Sequence, residues 1–489
     1  MKNKNKEIII LFFSSIIFII HFFTTKYNFF QWPEIDNFNF IRRFYDKDYL
    51  FEDFTVDSVS KKNPRNIFQF FIIGLSKILS LSWEKILFII DLFSRLILPV
   101  LLYKNVLYFS KKINYNTDKN FVFISIILLI CLSYYGISFF ETMGYEFHIF
   151  GFQPTNFSLI LISTGLIFHI NKKKILKFFG IILIMLGTLV HPIIGLFYFL
   201  AYVLSNFELK KVKKIFIYTL ITLIIPLLII LQFSENSELS TTDFNDTYIY
   251  LRHPHHFHIS KILSDPINLF KVIFSILILL IPYLKFKSKK YLLIPCILIL
   301  SIITQYFFIE VYPIKIFSIL GLNRIFFFLP LLLIIQLSGL FKLNFKYRIN
   351  FSKKIIIFPL IVFFSFTIFI KNPSNLNIKE DLGLSNFIEK IDEKDVIYVD
   401  SNFRISPEEI NVVYQKRIFI SSIFPFNENY FKEYARRFKL KKQIKELDNS
   451  IPLLKKEKIK YILTNKTINS NETELVYEYG LEKVYIIKY

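Results

Sequence analysis

Apolar runs recur from the N-terminus to about residue 370, separated by short polar breaks. About 20 apolar residues in a helix cross the hydrocarbon core of a bilayer. On that measure crossings are predicted at 8–23, 84–103, 120–140, 155–170, 175–190, 192–206, 213–233, 269–285, 291–309, 324–341 and 355–370, about 11 in all. The run 67–81 is interrupted by Lys77 and is short, which predicts an interfacial helix rather than a crossing. Two short runs meet at His191–Pro192, where proline removes a backbone donor, so a V-shaped pair of helices is expected there. After Ile370 the pattern shortens and alternates. It predicts a polar helix at 384–390, strands at 396–400 and 417–421, a helix at 428–447, a strand at 460–464 and a closing pair at 474–479 and 484–488. The expected fold is an α-helical polytopic membrane protein with a small C-terminal α/β domain, divided into residues 1–370 and 371–489.

Charge gives the threading a direction. Six short stretches, 2–7, 104–119, 172–177, 208–214, 285–290 and 342–354, hold 24 Lys and Arg residues against three acids, nearly the whole net charge of +22. Basic residues confined to short inter-span loops mark the cytoplasmic side. The N-terminus is therefore expected inside, and 371–489 outside the cytoplasm. The basic balance elsewhere is close to neutral, so nucleic-acid binding is excluded as a reading. The expected localisation is the bacterial inner membrane. Cys131 and Cys296 both fall within expected spans and suggest no disulfide framework.

Most histidines fall on the expected outer face. Four lie in Arg252-His253-Pro254-His255-His256-Phe257-His258, within the loop 234–268. Imidazoles beside a guanidinium suit a phosphate or a metal. In an extended segment the His-x-His spacing puts alternate rings on one face, which would need a carboxylate from elsewhere to complete a metal site. The first outer loop, 24–66, carries Glu34, Asp36, Asp46, Asp48, Glu52, Asp53 and Asp57. These carboxylates are candidates for acid and base work. Glu34 and Asp36 follow Trp32, an expected interfacial anchor. Glu141, Glu146, His148 and His191 lie on other outer segments and could support the site. Within the spans, Asp91 and Arg95 are four apart and can neutralise each other. Arg324 enters its span from the outer side, and a lipid phosphate is a candidate partner.

With its inside N-terminus, a first outer loop bearing Glu34-Ile35-Asp36, an interfacial segment, about 11 crossings and an outer C-terminal domain, the layout resembles the GT-C superfamily. These are polytopic glycosyltransferases that use polyprenyl-phosphate-linked sugars. The runs Asp48-Tyr49-Leu50-Phe51-Glu52-Asp53-Phe54 and Arg252-His253-Pro254-His255-His256 are also similar to those of uncharacterised bacterial multispanning proteins grouped near that superfamily. The resemblance implies sugar transfer at the outer face, with Asp36 as the catalytic carboxylate and Glu34 its neighbour. Arg252, His255, His256 and Arg324 would hold the departing phosphate, and His253 and Asp53 would support the site. A polyprenyl-phosphate-linked sugar and an acceptor are the implied partners, beside the bilayer itself. A divalent metal is compatible with this chemistry but not required by it. No Trp-Trp-Asp type motif stands in 371–489, so an oligosaccharyltransferase is not expected. Two other readings fit the same pattern: a transporter or flippase, and a non-enzymatic envelope-assembly component.

Overall fold

The computed structural model describes residues 3–25, 35–50, 52–60, 66–113, 117–134, 143, 154–206, 217–232, 239–341, 382–421, 425, 427–444 and 446–489. The chain is mostly helical and ends in a small sheet. The first nine helices among the described residues are α1 (Asn3–Thr25), α2 (Ile35–Tyr45), α3 (Phe54–Ser60), α4 (Asn66–Leu79), α5 (Trp83–Ile113), α6 (Lys119–Tyr134), α7 (Pro154–His169), α8 (Lys174–Val190) and α9 (Pro192–Asn206). Among the described residues, Trp83–Ile113, Pro266–Phe286, Lys289–Val311 and Lys315–Leu337 are the four long and apolar enough to cross a membrane. The expected span at 355–370 and the basic stretches 208–214 and 342–354 lie outside the described residues.

The chain divides into two compact units. The first comprises Met1–Tyr27, Leu75–Gln232 and Tyr248–Pro373. Its core joins Leu98, Leu102 and Val106 of α5 to Val122 and Ile126 of α6, Leu159 and Ile162 of α7, and Phe326 and Leu329 near the end of the unit. Helices α7 and α8 cross so closely that a Cβ on Gly165 would stand 2.7 Å from the carbonyl oxygen of Gly180. Small residues permit that approach where no water drives association. The chain breaks between α8 and α9 at His191, which has extended backbone angles, as the proline after it requires.

Two of the basic segments, 2–7 and 104–119, are linked within this unit. Lys104 pairs with Glu7 at 2.9 Å. The amide of Asp118 donates to the carbonyl of Ser338 at 2.9 Å, and Gln336 donates to the carbonyl of Tyr291 at 2.6 Å, next to 285–290. Asp91 and Arg95 form a buried pair at 2.9 Å within α5, which satisfies both charges without a ligand.

The second unit comprises Asn28–Gly74, Phe233–Thr247 and Ser374–Tyr489. Its sheet contains β1 (Val396–Val399), β2 (Arg417–Ile418), β3 (Ile459–Thr464), β4 (Thr473–Tyr479) and β5 (Glu482–Ile487), in the order β2-β1-β3-β5-β4. Strands β2, β1 and β3 are parallel, and β5 runs antiparallel to both β3 and β4. The core is built on Ile397, Ile410, Ile418, Leu463 and Val484. The helix expected at 428–447 ends at Gln443 and a new one runs over Leu447–Lys456. The turn between them lets Leu447, Ile451 and Leu454, spaced on one helical face, enter the core.

This unit is more than the C-terminal segment, because the first loop is built into it. Asn39 donates to the side-chain oxygen of Asn411 at 2.6 Å, and Arg42 donates to the carbonyl of Val412. Asp53 is buried, and its two carboxylate oxygens accept the amides of Val56 at 2.9 Å and Ile418 at 3.0 Å. Arg437 stacks on Phe54 at 4.5 Å. From the segment 233–247, Asp243 pairs with Lys432 at 3.3 Å and Phe244 packs on Phe431.

Candidate functional site

Within the loop expected at 234–268, the histidine segment folds as a single helical turn, Pro254–Phe257, so the rings are not arranged as they would be in an extended segment. Pro254 stands at the first helical position, where its fixed φ favours the helix and its missing amide costs nothing. Helical spacing makes His253 and His256 neighbours, with ring centroids 5.9 Å apart and nearly parallel, while His255 and His256 lie 4.0 Å apart. One nitrogen from each of His253, His255 and His256 falls within 4.8 Å of the others.

Cations and aromatic groups surround this turn. Arg252 ends the wide-turn helix Asn245–Arg252 that leads into it. Arg324, for which the sequence offers no local partner, donates to the Tyr248 hydroxyl at 3.2 Å and lies 5.0 Å from the centre of the Phe257 ring. Tyr248 also packs its ring on His253 at 5.0 Å. Asn323 holds the turn by donating to the carbonyl of His256, and its own side-chain oxygen is buried with no hydrogen-bond partner among the described residues. Gly321 makes the close packing feasible. Its φ is +56°, and a Cβ there would lie 2.5 Å from Phe257.

Burial is the main force on His253, pushing its pKa from 6.5 down to about 2, with Arg252, His256, Arg324 and His255 acting in the same direction. A ring so placed is a neutral imidazole with a lone pair to offer. The carboxylate that the sequence reading required does arrive, but at a different histidine. Glu310 accepts from the backbone amide of Ser260 at 3.1 Å and pairs with His258 at 3.3 Å, outside the three-imidazole group. Sequence reading missed Glu310, Tyr248 and Asn323. Glu310 carried a usable signal, as an acid at the end of an apolar helix.

The structure therefore brings together Arg252, His253, His255, His256 and Arg324 in the first unit. Asp53 belongs to the second unit, where it ties the first loop to β2. Asp36 stands in the first turn of α2, also in the second unit, and its side chain, with Glu34, Glu141, Glu146 and His148, lies outside the described residues. His191 caps α8, donating its amide to the carbonyl of Gly187 at 3.0 Å. No protein-family model, curated protein or solved structure matches this chain.

Proposed function

We propose that this chain is a membrane glycosyltransferase that moves a sugar from a polyprenyl-phosphate donor to an acceptor hydroxyl at the outer face of the membrane. The observation that carries the reading is the convergence of Arg252 and Arg324 on His253, within the three-imidazole group, because two guanidiniums suit a phosphate oxyanion. The link between the basic segments 2–7 and 104–119 supports the inside N-terminus that this topology needs, with about 11 crossings and the C-terminal segment outside. An apolar cavity of about 110 Å³, lined by Leu102, Phe109, Phe197, Leu293 and Phe328, offers a lining suited to a prenyl chain.

In the proposed reaction a general base takes the proton of the acceptor hydroxyl, the role the resemblance gives to Asp36. The acceptor oxygen bonds to the sugar's anomeric carbon as the bond from that carbon to the phosphate oxygen breaks. Arg252 and Arg324 then hold the charge of the departing polyprenyl phosphate, with His255 and His256 beside them. The test compares lipid-linked sugars and surface glycans by mass spectrometry in cells with the native chain, Asp36→Asn or no copy. Loss of one glycan with accumulation of its lipid-linked donor in both altered strains is expected. Unchanged pools at equal levels of inserted protein refute the transferase and favour a transporter or an assembly component. A normal glycan in Asp36→Asn alone removes Asp36 as the base.

A further inference from the structure

We propose that His253, His255 and His256 form a three-imidazole site for a zinc-class divalent ion, and that the ion keeps one coordination position for an anion. The proposal rests on the geometry of the turn and is independent of which group the protein transfers. Three nitrogen donors with no carboxylate among them fit a borderline d-block ion and do not fit Mg²⁺ or Ca²⁺, which take oxygen ligands. Bonds of about 2.0–2.1 Å in a tetrahedral site place the nitrogens about 3.3 Å apart. The observed group, within 4.8 Å, must close by about 1.5 Å. His255 is exposed and can swing to close it, while His253 and His256, half-buried, keep their places in the turn.

The surroundings decide what else the ion binds. Arg252 and Arg324 both act electrostatically on His253, so a bare divalent cation bound there would sit among positive charges. An anion in the fourth position removes that repulsion, because it can bond the metal and pair with a guanidinium. Metal and phosphate should therefore help each other bind, by the same factor in both directions. Three protein ligands with one open position is also the usual composition of a zinc site that does chemistry, whereas a structural site is closed by four.

The experiment uses the full chain purified in detergent, with metal content measured by mass spectrometry and Zn²⁺ titrated with and without inorganic phosphate. The native chain is expected to bind about one Zn²⁺, with phosphate tightening it. His255→Ala and His256→Ala each remove a ligand and should weaken Zn²⁺ by more than the 10–100-fold that loss of an outer-shell partner costs. His258→Ala, whose ring faces Glu310, should keep the metal. Co²⁺ in place of Zn²⁺ should give a tetrahedral visible spectrum in the native chain and in His258→Ala, a readout that does not require activity. Zinc far below one equivalent in the native chain overturns the proposal. So does Zn²⁺ binding that survives both triad substitutions in monodisperse protein, or that depends on His258 instead. Because none of these measurements involves sugar transfer, their failure is separate from failure of the transferase reading.

Discussion

Asp53 sets two physical effects against each other, and their balance can be measured. Burial disfavours its charged form, while two backbone amides and Arg437 favour it. Burial prevails, raising the pKa from 3.8 to about 6, with Asp57 acting in the same direction. Tyr49 lies close to the same carboxylate, and Asp57 is held by Arg43 at 3.3 Å. Because the folded-state value lies above the unfolded one, the stabilising contribution of Asp53 is complete below about pH 4 and is lost as the pH rises through about 6. Between pH 7 and pH 5 these values give a gain of about 1.3 kcal/mol, about ninefold in the equilibrium for opening.

Asp53→Asn removes the titration while keeping the side chain's shape. Amide hydrogen exchange on the full chain in detergent, corrected for intrinsic rates, reads the effect in peptides covering 54–60 and 415–421. Protection of these peptides in the native chain should rise about ninefold more on acidification from pH 7 to 5 than in Asp53→Asn. Comparing the two pH differences cancels every other titrating group, and the fixed cost of the amide as well. An identical pH response in both proteins would show that Asp53 does not titrate in this window. A native response in the opposite direction would mean that the two amide bonds outweigh burial, refuting the reasoning.

Gly321→Ala should destabilise the first unit by about 2–4 kcal/mol, combining a left-handed backbone cost with overpacking against Phe257. It should also lower zinc stoichiometry by disturbing the histidine turn, and an unchanged melting temperature would count against both effects. Asp91→Asn leaves Arg95 buried without its carboxylate, with an expected loss of about 3–5 kcal/mol that Asp91→Asn/Arg95→Gln should partly restore. Equal loss in the single and double variants, read by thermal unfolding in detergent, would remove the pairing as the source of the effect.

What the sequence revealed and what it hid follow from the range of the interactions. Long apolar runs specify helices locally, so α5 and Pro266–Phe286 lie close to the expected 84–103 and 269–285. The strands β1, β3, β4 and β5 were legible for the same reason, through short runs of alternating or β-branched residues. The union of the first loop with the C-terminal segment was not, because Asp53 meets Ile418 across 365 positions of chain and no periodicity encodes that pairing. The histidine turn was not legible either, because His-x-His spacing is compatible with an extended segment as well as with the helical turn that Pro254 opens. The partners of Arg324 were hidden for a third reason: Tyr248 lies 76 positions away, and Phe257 becomes a neighbour only through the fold.

As sequence, the first loop's carboxylates were set apart only by the position of Glu34 and Asp36 beside Trp32, and the fold separates Asp46, Asp53 and Asp57 by the structural work they do. Asp53 ties α3 to β2, Asp57 pairs with Arg43, and Asp46 accepts the amide of Asp48 within a turn. An acid buried between two backbone amides is a poor general base, because both of its oxygens are engaged and out of reach of an acceptor hydroxyl. Asp53 should therefore lower activity only through stability, with an unchanged donor requirement. The histidine cluster divides in a similar way. If the three imidazoles bind a metal, their lone pairs are used, and direct contact with the phosphate falls to Arg252 and Arg324. Charge-conserving Arg324→Lys would then keep zinc while weakening the phosphate's effect on zinc affinity, since a lysine cannot reproduce a guanidinium's fixed fork.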